Sequence, residues 1–318
     1  MHEVTPPAFH QGEQSVQERV GVREKMAPIG QRVFRNFMPD QHRELFTRLP
    51  YLVVGALDNR GQPWASLLFG GPGFITSPDD RRLRINARPT NGDPLADGLL
   101  GNSPVGLLGI ELESRRRNRA NGRIVQTDDY GFTVAIEQSF GNCPKYIQSR
   151  VPDTMAPPPS ARKSPARRRA ASLNDRTAAI IRRADTLFIA SAHPGAAETD
   201  AANQGVDVSH RGGPHGFVHV SGARELILPD YVGNFFFNTL GNLLLNPRAG
   251  LVFPDFQSGD LLFVAVQASV DWKRVDDGRF PGAQRLVQLA IRDVIHLEAV
   301  MAWSWSDPEP SPYLQSLS

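Results

Sequence analysis

The chain has 318 residues, 35 Lys+Arg against 33 Asp+Glu, a formal net charge of +2 and 40% hydrophobic residues. So even a balance excludes a protein whose main work is coating nucleic acid, and the hydrophobic share is enough to bury a core. The single cysteine, Cys143, excludes an intrachain disulfide and any Cys-rich zinc or iron–sulfur site. No apolar run reaches the ~18 residues of a membrane span, and the polar start lacks a signal core, so the expectation is a soluble, cytoplasmic protein.

Residues 1–30 read as a polar extension with one helical stretch over Val16–Met26. Residues 31–150 read as a mostly β domain with few helices. A helix over Asp40–Arg48 leads into a strand, Tyr51–Leu57, and Asp58-Asn59-Arg60-Gly61 makes a hairpin turn to Trp64–Phe69. Further strands are expected at Arg82–Asn86, Val105–Ile110, Arg123–Thr127 and Phe132–Gln138, with a short helix at Pro94–Leu100. Residues 151–173 form a basic, Pro-rich linker with almost no large apolar residue, expected to be mobile. Its run Arg167–Arg169 lacks interleaved aromatics and reads as a solvated connector rather than a nucleic-acid contact.

The second domain, 174–275, begins with a helix over Asn174–Arg183. Strands are expected at Thr186–Ser191, Gly216–Val220, Glu225–Leu228, Ala249–Pro254 and Asp260–Val270, with a helix near Asn238–Asn246. Residues 276–318 read as a C-terminal helix over Ala283–Ile295 and an aromatic tail with Trp303 and Trp305. The two domains are an internal repeat. Gly70-Gly71-Pro72-Gly73-Phe74 matches Gly212-Gly213-Pro214-His215-Gly216-Phe217, and Asn102-Ser103-Pro104-Val105-Gly106-Leu107 matches Asn246-Pro247-Arg248-Ala249-Gly250-Leu251 at almost the same distance downstream. Such a repeat implies a fused dimer whose pseudo-twofold interface lies inside the chain.

Candidate chemistry concentrates in Asp207-Val208-Ser209-His210-Arg211-Gly212-Gly213, which is either a ligand loop with a phosphate-pairing Arg or an ordinary Gly-Pro turn. A second candidate is Pro229–Asn234 running into Asn238 and Thr239 at a predicted helix start, where exposed N–H groups suit phosphate and simple capping is the alternative. His210, His215 and His219 cluster, but on a strand their spacing does not build a metal site, so no metal is expected. Cys143 reads as a small buried hydrophobe.

Taken together, His210-Arg211-Gly212-Gly213-Pro214, Gly216-Phe217, Asp230, Gly233-Asn234, Asn242 and Asn246-Pro247-Arg248 resemble the pyridoxamine 5′-phosphate oxidase-related, FMN-binding split-barrel family. Gly61–Ser66 and Gly70–Phe74 look like a second copy, and Asn142-Cys143-Pro144-Lys145-Tyr146-Ile147 is similar to a segment of such proteins. The resemblance implies two tandem split β-barrels of Greek-key type forming an intramolecular pseudo-dimer, with FMN at their interface. It implies Arg211, Asn238 and Thr239 on the phosphate. Ser209, His210, Gly212, Asn234 and Asn242 would lie along the ring and ribityl chain, with Trp64 and Ser66 closing the site from the first barrel. Where such proteins carry a Ser-Arg-Lys run, this chain has Phe237-Asn238-Thr239, two positive charges fewer, and no second basic cluster for pyridoxamine phosphate. The expected activity is an FMN-dependent oxidoreductase using a small-molecule substrate and an electron donor such as NAD(P)H or a reductase. No nucleic acid or membrane partner is expected, and a homodimer of the fused chain is left open. The alternative is a non-catalytic flavin, deazaflavin or haem protein, with His210, His215 or His219 as the axial ligand.

Overall fold

The computed structural model describes residues 7–153, 165–273, 278–301 and 303–317. Two helices, α1 (Gln11–Arg19) and α2 (Arg23–Val33), occupy the N-terminal extension, where one over Val16–Met26 was expected. The chain breaks between them at Gly21, whose φ of +71° suits glycine. Helix α3 (Asp40–Arg48) then precedes β1 (Tyr51–Leu57), β2 (Pro63–Phe69), β3 (Ile75–Asp79), β4 (Arg82–Ile85), β5 (Pro104–Glu111), β6 (Arg116–Asp128) and β7 (Gly131–Gly141). The segment Pro94–Leu100 is a series of turns rather than a helix, anchored by Asp93, whose carboxylate accepts from the Leu95 N–H at 2.8 Å.

After the linker comes β8 (Arg167–Ala170), then α4 (Asp175–Arg183), β9 (Thr186–Ala192), β10 (Val206–Gly212), β11 (His219–Gly222) and β12 (Glu225–Tyr231). Helix α5 (Asn238–Leu245), β13 (Arg248–Asp255), β14 (Asp260–Asp271) and β15 (Ala283–Leu297) complete the second half. Three expectations are corrected here. The C-terminal helix is the long strand β15, in which Val287, Leu289 and Ile291 are buried and Gln288, Ala290 and Arg292 exposed, a period of two. The polar Gly-rich segment is a strand, β10, as far as Gly212 and turns only at Pro214–Gly216, where the Phe217 N–H donates to the Pro214 carbonyl at 3.0 Å. Arg167–Ala170 is an ordered strand paired with β15, with Arg169 bound to Asp293 at 2.6 Å and Arg168 to Glu298 at 3.2 Å; the rest of the expected mobile stretch, 154–164, lies outside the described residues.

Strand order makes the repeat explicit. The first sheet runs β2-β1-β5-β6-β7-β4-β3, and the second β10-β9-β13-β14-β15-β12-β11, the same antiparallel order. Both halves are split barrels of Greek-key type, because the chain passes from the β3–β4 end back to β5 in the middle of the sheet. The seam between them is built on small residues at equivalent places. Gly106 on β5 pairs with Gly55 on β1, and Gly250 on β13 pairs with Ala190 on β9. A Cβ on Gly106 would sit 2.9 Å from the Val206 carbonyl oxygen on β10, and one on Gly250 would sit 2.1 Å from the Pro63 carbonyl oxygen on β2. Backbone therefore meets backbone across a pseudo-twofold axis, with each barrel's second strand laid on the other barrel. One hydrophobic core passes through this seam, joining Val54, Leu67 and Leu107 to Phe188, Val208, Val252 and Phe263.

Candidate functional site

On β6, Ala120 and Ile124 enter the first barrel's core, and strand alternation turns Arg117, Arg119 and Asn121 to the opposite face. These side chains leave the first barrel and meet β10 of the second. Arg119, 6% exposed, pairs with Asp207 at 3.0 Å, donates to the Asn238 side-chain oxygen at 2.7 Å and reaches the Ser209 hydroxyl. Ser209 in turn lies 2.9 Å from the Thr239 hydroxyl. Asn238 donates to Glu13 on α1, a helix packed against α5 so closely that a Cβ on Gly12 would lie 2.2 Å from the Gly241 carbonyl oxygen. Burial pushes the Glu13 carboxyl up to about 8, so it enters this network neutral at pH 7.

This network borders an open pocket, with about 790 Å³ of empty space including its mouth. Ser209, His210, Arg211 and Gly212 of β10 line it together with Asn234, Asn238 and Thr239. Arg117, Asn142, Cys143, Lys145, Tyr146 and Tyr231 complete the wall. Tyr146, Phe235 and Phe237 hold φ near +60°, half of the six described non-glycine residues with positive φ, and all three lie on the pocket wall. Backbone strain of this kind collects where a wall must hold a shape for a ligand.

The pocket is rich in donors. Arg117 donates from Nε to the Cys143 carbonyl at 2.7 Å and from Nη1 to His210 Nδ1 at 3.3 Å, and no carboxylate pairs with it among the described residues. Desolvation, then like-charged Arg119, draws its pKa down to about 9, which leaves it charged at neutral pH. His210, 5% exposed, is held well below the usual histidine range by burial and then by Arg117, Arg211 and Arg150, so it is neutral. A guanidinium cannot accept, so His210 Nδ1 is the acceptor and its proton sits on Nε2. That Nε2–H has no partner, and neither do Arg211 Nε nor Asn142 Nδ2. Arg211 is otherwise tied to Asp230 at 2.9 Å, a carboxylate shared with Arg285 at 3.2 Å. With Arg119 Nε, which is also buried and without a partner, four N–H donors and the unmatched Arg117 cation thus line a single pocket.

Not every candidate residue lies there. Asn242 faces inward elsewhere, donating to Ser191 at 3.1 Å and lining a small cavity with His10 and Glu13. Trp64 and Ser66 do not line the pocket; Trp64 donates to Asp58 at 3.1 Å and Ser66 to buried Asp93, both within the first barrel. His215 and His219 are also absent from it: His215 is exposed and bound to the Arg183 carbonyl, and His219 is exposed beside the Phe280 ring. Arg117 and Arg119 had no place among the sequence candidates, because β6 was expected to begin at Arg123. The alternation Arg117, Arg119, Asn121, Arg123 was the signal available.

The pseudo-twofold axis generates a second location, and its chemistry is different. Aligned on the seam pairs, Ser66, Leu67 and Leu68 stand where Ser209, His210 and Arg211 stand, and Leu261, Phe263 and Ala265 replace Arg117, Arg119 and Asn121. That copy is packed with apolar side chains, and the tail closes over it with Trp303 against Phe69, centroids 6.0 Å apart. The aromatic tail therefore covers its own first barrel.

No protein-family model and no curated protein matches the chain. Among solved structures, a candidate pyridoxamine 5′-phosphate oxidase from Lactobacillus delbrueckii aligns at 17% identity over 39% of this chain and 94% of that one, TM-score 0.30. The heme storage protein HutZ from Vibrio cholerae aligns at 12% identity over 41% and 96%, TM-score 0.27. A FAD-binding protein from Mesorhizobium loti aligns at 13% identity over 41% and 96%, TM-score 0.25. Likenesses this faint transfer no residue role.

Proposed function

We propose that the pocket between β6 and β10 binds FMN and that the protein is an FMN-dependent oxidoreductase. The observation behind this reading is the donor surplus: Arg117 without a carboxylate, beside the free N–H groups of His210, Arg211 and Asn142. A ligand fitting that set must be anionic and rich in acceptor oxygens, as a phosphate ester with ring carbonyls is. Arg117 and Arg119 set two cations near Phe237-Asn238-Thr239 from the other barrel rather than from the same helix start, Arg117 uncompensated and Arg119 matched by Asp207 at 3.0 Å. Lys145 at the rim adds a third cation. FMN, when bound, supplies the hydride and electron transfer. The residues orient it: Arg117 and Arg211 hold the anionic end, while His210 Nε2–H and Asn142 Nδ2–H are free for acceptor atoms. Tyr146 and Tyr231, with ring centroids 5.2 Å apart, wall the space from solvent.

The donor pattern disfavours haem on His210. Iron would need the Nε2 lone pair, which moves the proton to Nδ1 and points it at the Arg117 N–H donors. A flavin carrier without turnover remains the second reading, supported by the engagement of the pocket carboxylate, Asp230, in ion pairs rather than as a free base. Titration with FMN and riboflavin, followed by flavin fluorescence, tests the site. FMN is expected to bind tighter by about tenfold or more, as one or two charged hydrogen bonds require, and Arg117→Met to erase that margin. Equal binding of both flavins, or of neither, overturns the reading. NAD(P)H oxidation by the FMN-loaded protein then separates enzyme from carrier.

A further inference from the structure

A crevice apart from the FMN pocket lies where the C-terminal tail crosses the end of the second barrel. Its empty space, open solvent at the mouth included, is about 920 Å³, bounded by Arg150, the last turn of α4, the end of β13 and residues 304–308 of the tail. The Arg150 side chain is only 5% exposed. Its Nη2 donates to Asp185 at 2.6 Å, and its guanidinium lies 4.3 Å over the Phe256 ring. Its Nη1 has no partner. Trp305 packs on the same Phe256 ring at 5.1 Å, and its indole N–H is buried and unpartnered too.

Two buried donors therefore border one phenyl ring, and among the described residues no unpartnered buried acceptor lines the crevice. A buried donor left without an acceptor is costly, more so on a cation, and this geometry supplies two for one ligand group. Ile180, Pro254, Phe256, Trp305 and Pro308 supply its apolar walls, with Gln257, Ser304 and Ser306 polar beside them. On the rim Arg183 is matched by Asp255, exposed His215 stands 4.0 Å from Asp185, and exposed Asp307 faces solvent, where its charge is screened. We propose that this crevice is a binding site for a small aromatic carboxylate. Its oxygens take the Arg150 and Trp305 donors, and its ring lies among Phe256 and the two prolines. The proposal stands independently of FMN. Its floor does touch the other pocket: the Asp185 carbonyl accepts from the Gly213 N–H at 3.1 Å, and Gln148 donates to the Gly213 carbonyl at 2.8 Å, next to Gly212.

The test uses the full-length protein with benzoate as probe and benzyl alcohol as control. The four tryptophans give separable indole N–H resonances, and Trp305→Phe identifies one of them. Benzoate at up to about 10 mM should shift the Trp305 resonance in a saturable way and leave that of Trp64 in place, while benzyl alcohol does neither. Arg150→Met should weaken benzoate by about tenfold or more. Should that variant fail to fold, Arg150→Lys keeps the charge, removes the second donor edge, and should weaken benzoate severalfold. An unmoved Trp305 resonance, equal binding of benzyl alcohol, or undiminished affinity in Arg150→Lys overturns the proposal.

Discussion

Glu13 shows how far a single side chain can couple folding to pH. Its pKa is raised to about 8 in the folded chain from an ordinary value of 4.5, chiefly by burial. The folded state therefore holds more protons than the unfolded state between those values, and stability falls as pH rises through that window. Asp93, raised by burial to about 7, acts in the same direction. His10, lowered by burial and then by His193 to about 4, costs stability in the opposite sense as pH falls from 6.5. Thermal melting should thus drop up to about pH 8, most steeply above pH 6.5 where His10 no longer opposes it, and Glu13→Gln should flatten that drop whatever it does to the plateau. An unchanged slope in the variant would place the titration elsewhere. Arg119 gives a second prediction. Arg119→Met leaves Asp207 buried without its cation, so a loss of about 3 kcal/mol in denaturant unfolding is expected. Arg117→Met, which strands no carboxylate, should cost far less while still removing the FMN preference.

At the scale of elements, the seam depends on strands coming within backbone contact. A methyl on Gly250 would meet the Pro63 carbonyl oxygen at 2.1 Å and Trp64 Cα at 2.5 Å, and neither can rotate away. Gly106 is looser, with its closest contact at 2.9 Å. Gly250→Ala should therefore destabilise by about 2 kcal/mol or more, Gly106→Ala by less, and Gly71→Ala, which meets nothing within 4 Å, hardly at all. Equilibrium unfolding in urea ranks the three, and a Gly250→Ala as stable as Gly71→Ala would refute the close seam. Strand β15 teaches a related lesson. Its alternation Val287, Gln288, Leu289, Ala290, Ile291, Arg292 is a strand signature that a helical reading passed over.

For the whole molecule, one chain carries two barrels but one polar site. Duplication preserved the strand order, while Leu67, Leu68, Leu261 and Phe263 turned the twin location into core. Flavin binding should accordingly saturate at about one per chain, checked by absorbance after gel filtration; two per chain would contradict the packing of the twin site.

The sequence by itself determined the repeat, the β content, the hairpin at Asp58–Gly61 and the polar character of Ser209–Gly212, because periodicity, turn residues and matched Gly-Pro landmarks are local. Only the tertiary structure decided which residues meet. Arg119 sits ninety positions before Ser209 and more than a hundred before Asn238, and Glu13 comes from an extension that composition marks only as polar. Ser66, equivalent by repeat to the pocket residue Ser209, and Trp64, equivalent to Asp207, are held within the first barrel by Asp93 and Asp58. A pseudo-twofold seam brings distant strands together by backbone contact through glycine, and a glycine records no partner in its own side chain.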